Sequence, residues 1–135
     1  MRTRSIVVLA LVSSLALGAC SEGSEPAGAG EPGWTRLSPQ ALDDLMTQED
    51  VFLVNVHVPF EGEITGTDAH ISYTELVNRI GELPDPDEET LVLYCRSGNM
   101  STIAAQELVA AGRTGFYELE GGFIAWNEAG LPFEP

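Results

Sequence analysis

Apolar and polar positions along the chain fall into short blocks with two different periods. Val51-Phe52-Leu53-Val54-Asn55-Val56-His57 and Leu91-Val92-Leu93-Tyr94 are near-continuous apolar runs rich in β-branched residues. That pattern marks strands buried on both faces. Pro59 ends the first, and Gly115-Phe116-Tyr117-Glu118-Leu119 reads as a further strand. Between them lie segments with helical spacing. Ser38-Pro39 is an N-cap with proline at the first helical position, and Leu42, Leu45 and Met46 follow as an apolar stripe. Leu37, just before the cap, is placed to pack on Leu42 as a hydrophobic staple. Leu76, Val77 and Ile80 predict a helix over 74–80, and Ala104, Leu108 and Ala111 predict one over 102–111 that Gly112 stops. A last helix begins at Phe123, Ile124 and Trp126, with Trp126 in the core, and ends at Gly130-Leu131-Pro132. Residues 60–72 read as irregular, and Pro84-Asp85-Pro86-Asp87 as a turn. Strands alternating with helices predict an α/β fold, a small parallel β-sheet with helices on both faces.

One junction in this pattern carries chemistry. Cys95-Arg96-Ser97-Gly98-Asn99-Met100-Ser101 joins the 91–94 strand to the helix after it. The C-terminal ends of strands are where α/β folds place ligand sites. Unsatisfied N–H groups and the helix dipole add partial positive charge there, and Arg96 adds a full one, so both favour the thiolate over the thiol. Gly98 can adopt a positive φ and curl the loop round the sulfur. Ser101 is either the N-cap of the helix or a hydrogen-bond partner of the sulfur.

These residues, followed by Leu119-Glu120-Gly121-Gly122-Phe123-Ile124-Ala125-Trp126 and Ala129-Gly130-Leu131-Pro132, resemble a single rhodanese-like (sulfurtransferase) domain over about residues 36–135. The resemblance implies that Cys95 is the catalytic nucleophile and that Arg96, Ser97, Gly98, Asn99, Met100 and Ser101 form the substrate-binding loop. It implies transfer of a sulfane sulfur from thiosulfate, or from a persulfide or polysulfide, to a thiophilic acceptor through a Cys95 persulfide, with no cofactor and no metal. Three positions depart from the family. Its Asp-x-Arg strand ending is Asn55-x-His57 here, and Met100 stands where many members have Arg. His57 offers a general base or a loop anchor, with Asn55 in support. One cation fewer disfavours a dianion such as thiosulfate and favours a less charged donor. A non-catalytic sulfur carrier, redox sensor or binding module on the same fold is the alternative. Phosphatase or arsenate reductase chemistry is disfavoured, because it resembles a Cys followed after five residues by Arg, and that position is Ser101.

Composition sets the surroundings. The 135 residues carry 21 acids against 6 bases, all Arg, for a formal charge of −15. Such a surface excludes nucleic acid as a partner. The acids and His70 between 61 and 70 read as a solvated acidic loop, without the spacing of an EF-hand. Arg2 and Arg4 precede an apolar run from Ile6 to Leu17, shorter than the ~20 residues a membrane span needs. It reads as a secretory leader. Leu17-Gly18-Ala19-Cys20 resembles the bacterial lipoprotein signal, so residues 1–19 are a leader and Cys20 is the lipidated N-terminus. Residues 20–33, rich in Gly, Pro, Ser and Glu, are a flexible tether. The domain is 34–135, held outside the cytoplasm on the cell membrane. Loss of 1–19 removes two Arg and no acid, leaving −17, and leaves Cys95 as the one free thiol.

Overall fold

The computed structural model describes residues 33–135. The leader, Cys20 and the tether up to residue 32 lie outside the described residues. Five parallel strands form the main sheet in the order β1-β6-β5-β2-β4: β1 is Trp34–Leu37, β2 Val51–Asn55, β4 Ala69–His70, β5 Thr90–Tyr94 and β6 Phe116–Leu119. Three α-helices, α1 (Pro39–Gln48), α2 (Asn99–Ala110) and α3 (Gly122–Glu128), connect or follow them. A two-stranded antiparallel sheet pairs β3 (Glu63–Ile64) with β7 (Phe133–Glu134).

The central strand β5 explains the layering. Leu91, Leu93 and Cys95 point to one face, where they join Ala104, Ala105 and Leu108 of α2. Val92 and Tyr94 point to the other, where they join Leu42 of α1 and Phe123 and Trp126 of α3. Both faces are therefore covered, as an all-parallel sheet requires. Cys95 is the next inward step of this alternation, one residue past the last paired position, Asn55 opposite Tyr94.

Local chemistry sets the helix ends. The Ser38 hydroxyl accepts from the Ala41 N–H at 3.2 Å, with Pro39 at N1. Leu37 and Leu42 share one core cluster. After α2 the chain turns at Gly112 (φ 93°), whose N–H donates to Val109 O at 2.9 Å, while Arg113 N–H reaches Leu108 O at 2.9 Å. That is the glycine stop the sequence implied.

Several elements differ from expectation. Helix α2 begins at Asn99, three residues early, and its cap is Gly98 in the left-handed region. Ser101 is thus not the N-cap, because the glycine lets the chain turn into the helix sooner. The segment expected as a helix over 74–80 is turn followed by a 3-10 helix, Val77–Glu82, with Ile80 exposed. Only Leu76 of its stripe is fully buried, so packing selects no continuous helical face. The 51–57 strand stops at Asn55, where the side chain takes over the next backbone bond by accepting from the His57 N–H at 3.0 Å. The region 60–72 holds β3 and β4, both too short for a period to be visible.

Two buried features lock the end of β5 in place. The Ile64 N–H donates to Tyr94 Oη at 3.0 Å, and the Tyr94 hydroxyl lies 2.7 Å from Thr67 Oγ1. Thr67 uses its own hydrogen on Ile64 O at 2.7 Å, so Tyr94 donates to Thr67. Gly122 (φ +60°) lies against the turn after Cys95, and a Cβ there would come within 2.3 Å of Cys95 O and 2.5 Å of Arg96 O.

Burial pushes the Tyr94 hydroxyl from its ordinary value of 10.0 up to about 12. Between these values the unfolded chain gives up a proton that the folded chain keeps, so stability falls as pH rises across that window. Tyr94→Phe is expected to cost about 1–2 kcal/mol at neutral pH, through the orphaned Ile64 N–H, and to flatten the alkaline decline. Denaturant unfolding of both proteins across that pH window measures it. Gly122→Ala is expected to cost about 3 kcal/mol or more, from strain at positive φ and the clash with the Cys95 and Arg96 carbonyls. Thermal unfolding reads the loss, and an unchanged midpoint would rule out the close approach.

Candidate active site

The β5–α2 turn is built from backbone. Cys95 ends the buried run and is 1% exposed. Gly98 at φ 101° folds the loop back so that its N–H donates to Cys95 Sγ at 3.1 Å. Ser101, one turn into α2 and fully buried, places Oγ 3.5 Å from the sulfur. From the other side, the first N–H groups of α3 hold the loop carbonyls: Phe123 N–H donates to Cys95 O at 2.9 Å, and Ile124 N–H to Arg96 O at 3.1 Å. The expected Gly121-Gly122 turn therefore lies directly against the cysteine loop.

The remaining loop residues take distinct positions. Arg96, Ser97 and Asn99 are exposed. Met100 is partly buried against the α2-side core, so its thioether adds packing where a cation would have added charge. A cleft of about 210 Å³ opens beside the loop, lined among others by Arg36, Ser97, Asn99, Thr102 and Glu120. It provides room for a small anion or for the end of a thiol.

Asn55 and His57 organise the opposite lip. Asn55, fully buried, donates from Nδ2 to Gly62 O at 3.1 Å and accepts from the His57 N–H, which ties the 57–62 loop to the end of β2. The His57 ring is buried, packs edge-on to Phe123 with centroids 5.7 Å apart, and bonds through Nε2 to the Glu61 carboxylate. The polar groups facing the sulfur are the Gly98 N–H and the Ser101 hydroxyl. His70 Nε2 donates to His57 O at 2.6 Å, and Asp68 accepts from the Leu53 N–H at 2.8 Å. Asp68 and His70 are thus spent on backbone groups. Among the described residues no three His, Cys, Asp or Glu side chains gather as a metal site would.

Two carboxylates near the site go unrecognised as such in the sequence, where Glu61 reads as part of a solvated acidic loop. Glu61 reaches Arg96 as well as His57, with Oε2 3.8 Å from Arg96 Nε. Its spacing of four residues from His57 was the available signal. Glu118 is only 1% exposed. An acid at an inward position of an apolar strand was the signal there, since a buried charge needs partners.

This geometry has known relatives. The model of the rhodanese-like domain matches residues 38–129. The chain is 40% identical over 98 residues to an uncharacterized protein of Synechocystis sp., covering 71% of this chain and 54% of that protein, so it spans about half of that relative. It is 33% identical over 96 residues to the thiosulfate sulfurtransferase GlpE of Vibrio cholerae, covering 70% of this chain and 89% of that protein. The crystal structure of a rhodanese-related protein from Thermoplasma volcanium superposes with a TM-score of 0.62 at 25% identity, over 73% of this chain and 95% of that one. With a matching domain model, matching architecture and a cysteine at the head of the loop between β5 and α2, the chain belongs to the rhodanese-like domain family.

Proposed function

We propose that the protein is a sulfurtransferase that carries a sulfane sulfur as a Cys95 persulfide. The Cys95 thiolate attacks the outer sulfur of a donor R–S–SH, a new S–S bond forms, and the donor's S–S bond breaks to release R–S⁻. An acceptor thiolate then attacks the outer sulfur of Cys95–S–SH and regenerates the Cys95 thiolate, so ping-pong kinetics are expected. The observation that carries this reading is the loop itself: Gly98 turns back so that its N–H meets the sulfur, at the start of a twelve-residue helix. Such donors favour negative charge on the sulfur and on the bound persulfide.

The donor class follows from charge. Arg96 is the loop's own cation, and Glu61 lies 3.8 Å from its Nε. Met100 packs into the core and adds none. The Vibrio cholerae relative is a thiosulfate sulfurtransferase, but a dianion meets a partly neutralised arginine here. A persulfide or polysulfide fits better. We place the reaction outside the cytoplasm, with the domain tethered by a lipidated Cys20, on the strength of the leader-like segment before it. A second reading, a sulfur carrier or binding module that forms the persulfide without turnover, draws on the near-complete burial of Cys95.

In the full chain carrying Cys20→Ser, treatment with polysulfide is expected to add one sulfur to the intact mass, and Cys95→Ser to abolish the gain. No gain from polysulfide or thiosulfate would remove the proposal, and a gain without repeated turnover would select the carrier. Glu61→Gln is expected to lower KM for thiosulfate by about two- to fivefold, the scale of an exposed ion pair, and to change KM for polysulfide much less. Steady-state kinetics with both donors read this, and an equal effect on the two would place Glu61 outside donor selection.

A further inference from the structure

Glu118 is the most enclosed charge among the described residues, and its bonds lead to the reactive sulfur. Its Oε2 accepts from Trp34 Nε1 at 2.9 Å and from Arg36 Nε at 3.3 Å. Its Oε1 accepts from the Ser101 hydroxyl at 2.7 Å and the Thr102 hydroxyl at 2.8 Å. Four donors, one of them the Arg36 guanidinium, thus surround the carboxylate. Thr102 and Trp34 knit α2 and β1 to β6 through it. Ser101 does something else, because its oxygen also faces Cys95 Sγ at 3.5 Å and Gly98 O at 3.2 Å.

A hydroxyl has one hydrogen and two lone pairs. The three acceptors around Ser101 Oγ therefore compete for a single hydrogen. The carboxylate oxygen is nearest and charged, so it takes that hydrogen. The lone pairs of Ser101 are then left facing the sulfur. They suit an S–H donor and repel a thiolate. We infer that Glu118 is a positioning residue that withholds the Ser101 hydrogen from Cys95 and so lowers the reactivity of the resting sulfur. When the sulfur carries charge, the hydroxyl turns toward it. Glu118 then still keeps Trp34, Arg36 and Thr102, which makes the turn inexpensive in hydrogen bonds.

The titratable and charged groups round this unit are Glu118 of β6, Arg36 of β1, Arg96 in the cysteine loop, His57 with Glu61 on the opposite lip, and Glu120 at the cleft. Of these, only Glu118 is joined to the sulfur through the Ser101 hydroxyl. The inference rests on Cys95 being the reactive sulfur of the proposed transfer. Its test uses alkylation, which needs no sulfur donor, so it can fail while transfer stands, and the reverse.

The experiment is iodoacetamide alkylation of Cys95 at pH 7, in the full chain carrying Cys20→Ser. Glu118→Gln replaces the charged acceptor with an amide that can donate to Ser101 and free its hydrogen for the sulfur. It is expected to speed alkylation about three- to tenfold, the scale of one ordinary hydrogen bond. The same substitution made together with Ser101→Ala is expected to lose most of that gain, because the linking hydroxyl is gone. Ser101→Ala alone leaves Glu118 three donors and removes two hydrogen bonds from the thiol form against one from the thiolate, so its rate is expected at or above the parent's. A rate below the parent's for Ser101→Ala would overturn the inference, even if Glu118→Gln failed to fold. So would a folded Glu118→Gln protein with unchanged or slower alkylation, or a gain that survives in full without the Ser101 hydroxyl, which would make the charge act directly through space.

Discussion

Two backbone hydrogen bonds, from the Phe123 and Ile124 N–H groups to the carbonyls of Cys95 and Arg96, fix the position on which the site depends. They join the start of α3 to the turn after β5, so the last helix clamps the cysteine loop. The contact is close enough to require glycine at 122, where a side chain would meet both carbonyls. With the carbonyls held on that side, the loop's N–H groups turn the other way, and Gly98 brings one of them to the sulfur. The fold thus presents a backbone donor to Cys95 without a lysine or histidine bonded to it. Fixed backbone dipoles need no reorganisation when charge develops on the sulfur, which is how such a turn favours a charged intermediate.

Charge around this turn is restrained on two sides. Glu61 shares its carboxylate between His57 and Arg96 on the exposed lip. Glu118 does the buried equivalent with Trp34, Arg36, Ser101 and Thr102. The exposed pair is screened by water, so its effect falls on the charge of an approaching donor. The buried carboxylate is not screened, and its hydrogen bonds are correspondingly directional. The loop itself contributes one cation, and Met100 turns inward. The proposed preference for donors of low charge rests on this small positive balance.

Much of the layering was legible in the chain. β2 and β5 declared themselves because strands buried on both faces are nearly continuous apolar runs, and α1 because Ser38-Pro39 and the Leu42, Leu45, Met46 stripe agree. The 3-10 segment after Leu76 was misread as a helix, since three apolar residues at helical spacing do not fix whether the last of them, Ile80, will find a partner. β3, β4 and β7 span two residues each. Their existence is a matter of where distant backbone happens to lie, and no local period can announce it. β1 was passed over because Trp34–Leu37 is short and half polar, and it is a strand only because β6 pairs with it.

The sequence by itself determined the α/β alternation, the cysteine at the strand–helix junction, the glycine that turns the loop, and the acidic balance of the surface. Each of these depends on neighbours within a few residues or on composition alone, where periodicity and backbone freedom act directly. Only the tertiary structure decided the partners of Cys95. Ser101 became a neighbour of the sulfur instead of a cap, and Glu118, seventeen residues further on, became the acceptor that competes for its hydrogen. Glu61 met Arg96 across thirty-five positions by the same logic. Contacts between residues so far apart in the chain are set by the register of β5 against β6 and by the path of the 57–62 loop, and no pattern of hydrophobic and polar positions encodes where a single hydroxyl hydrogen will point.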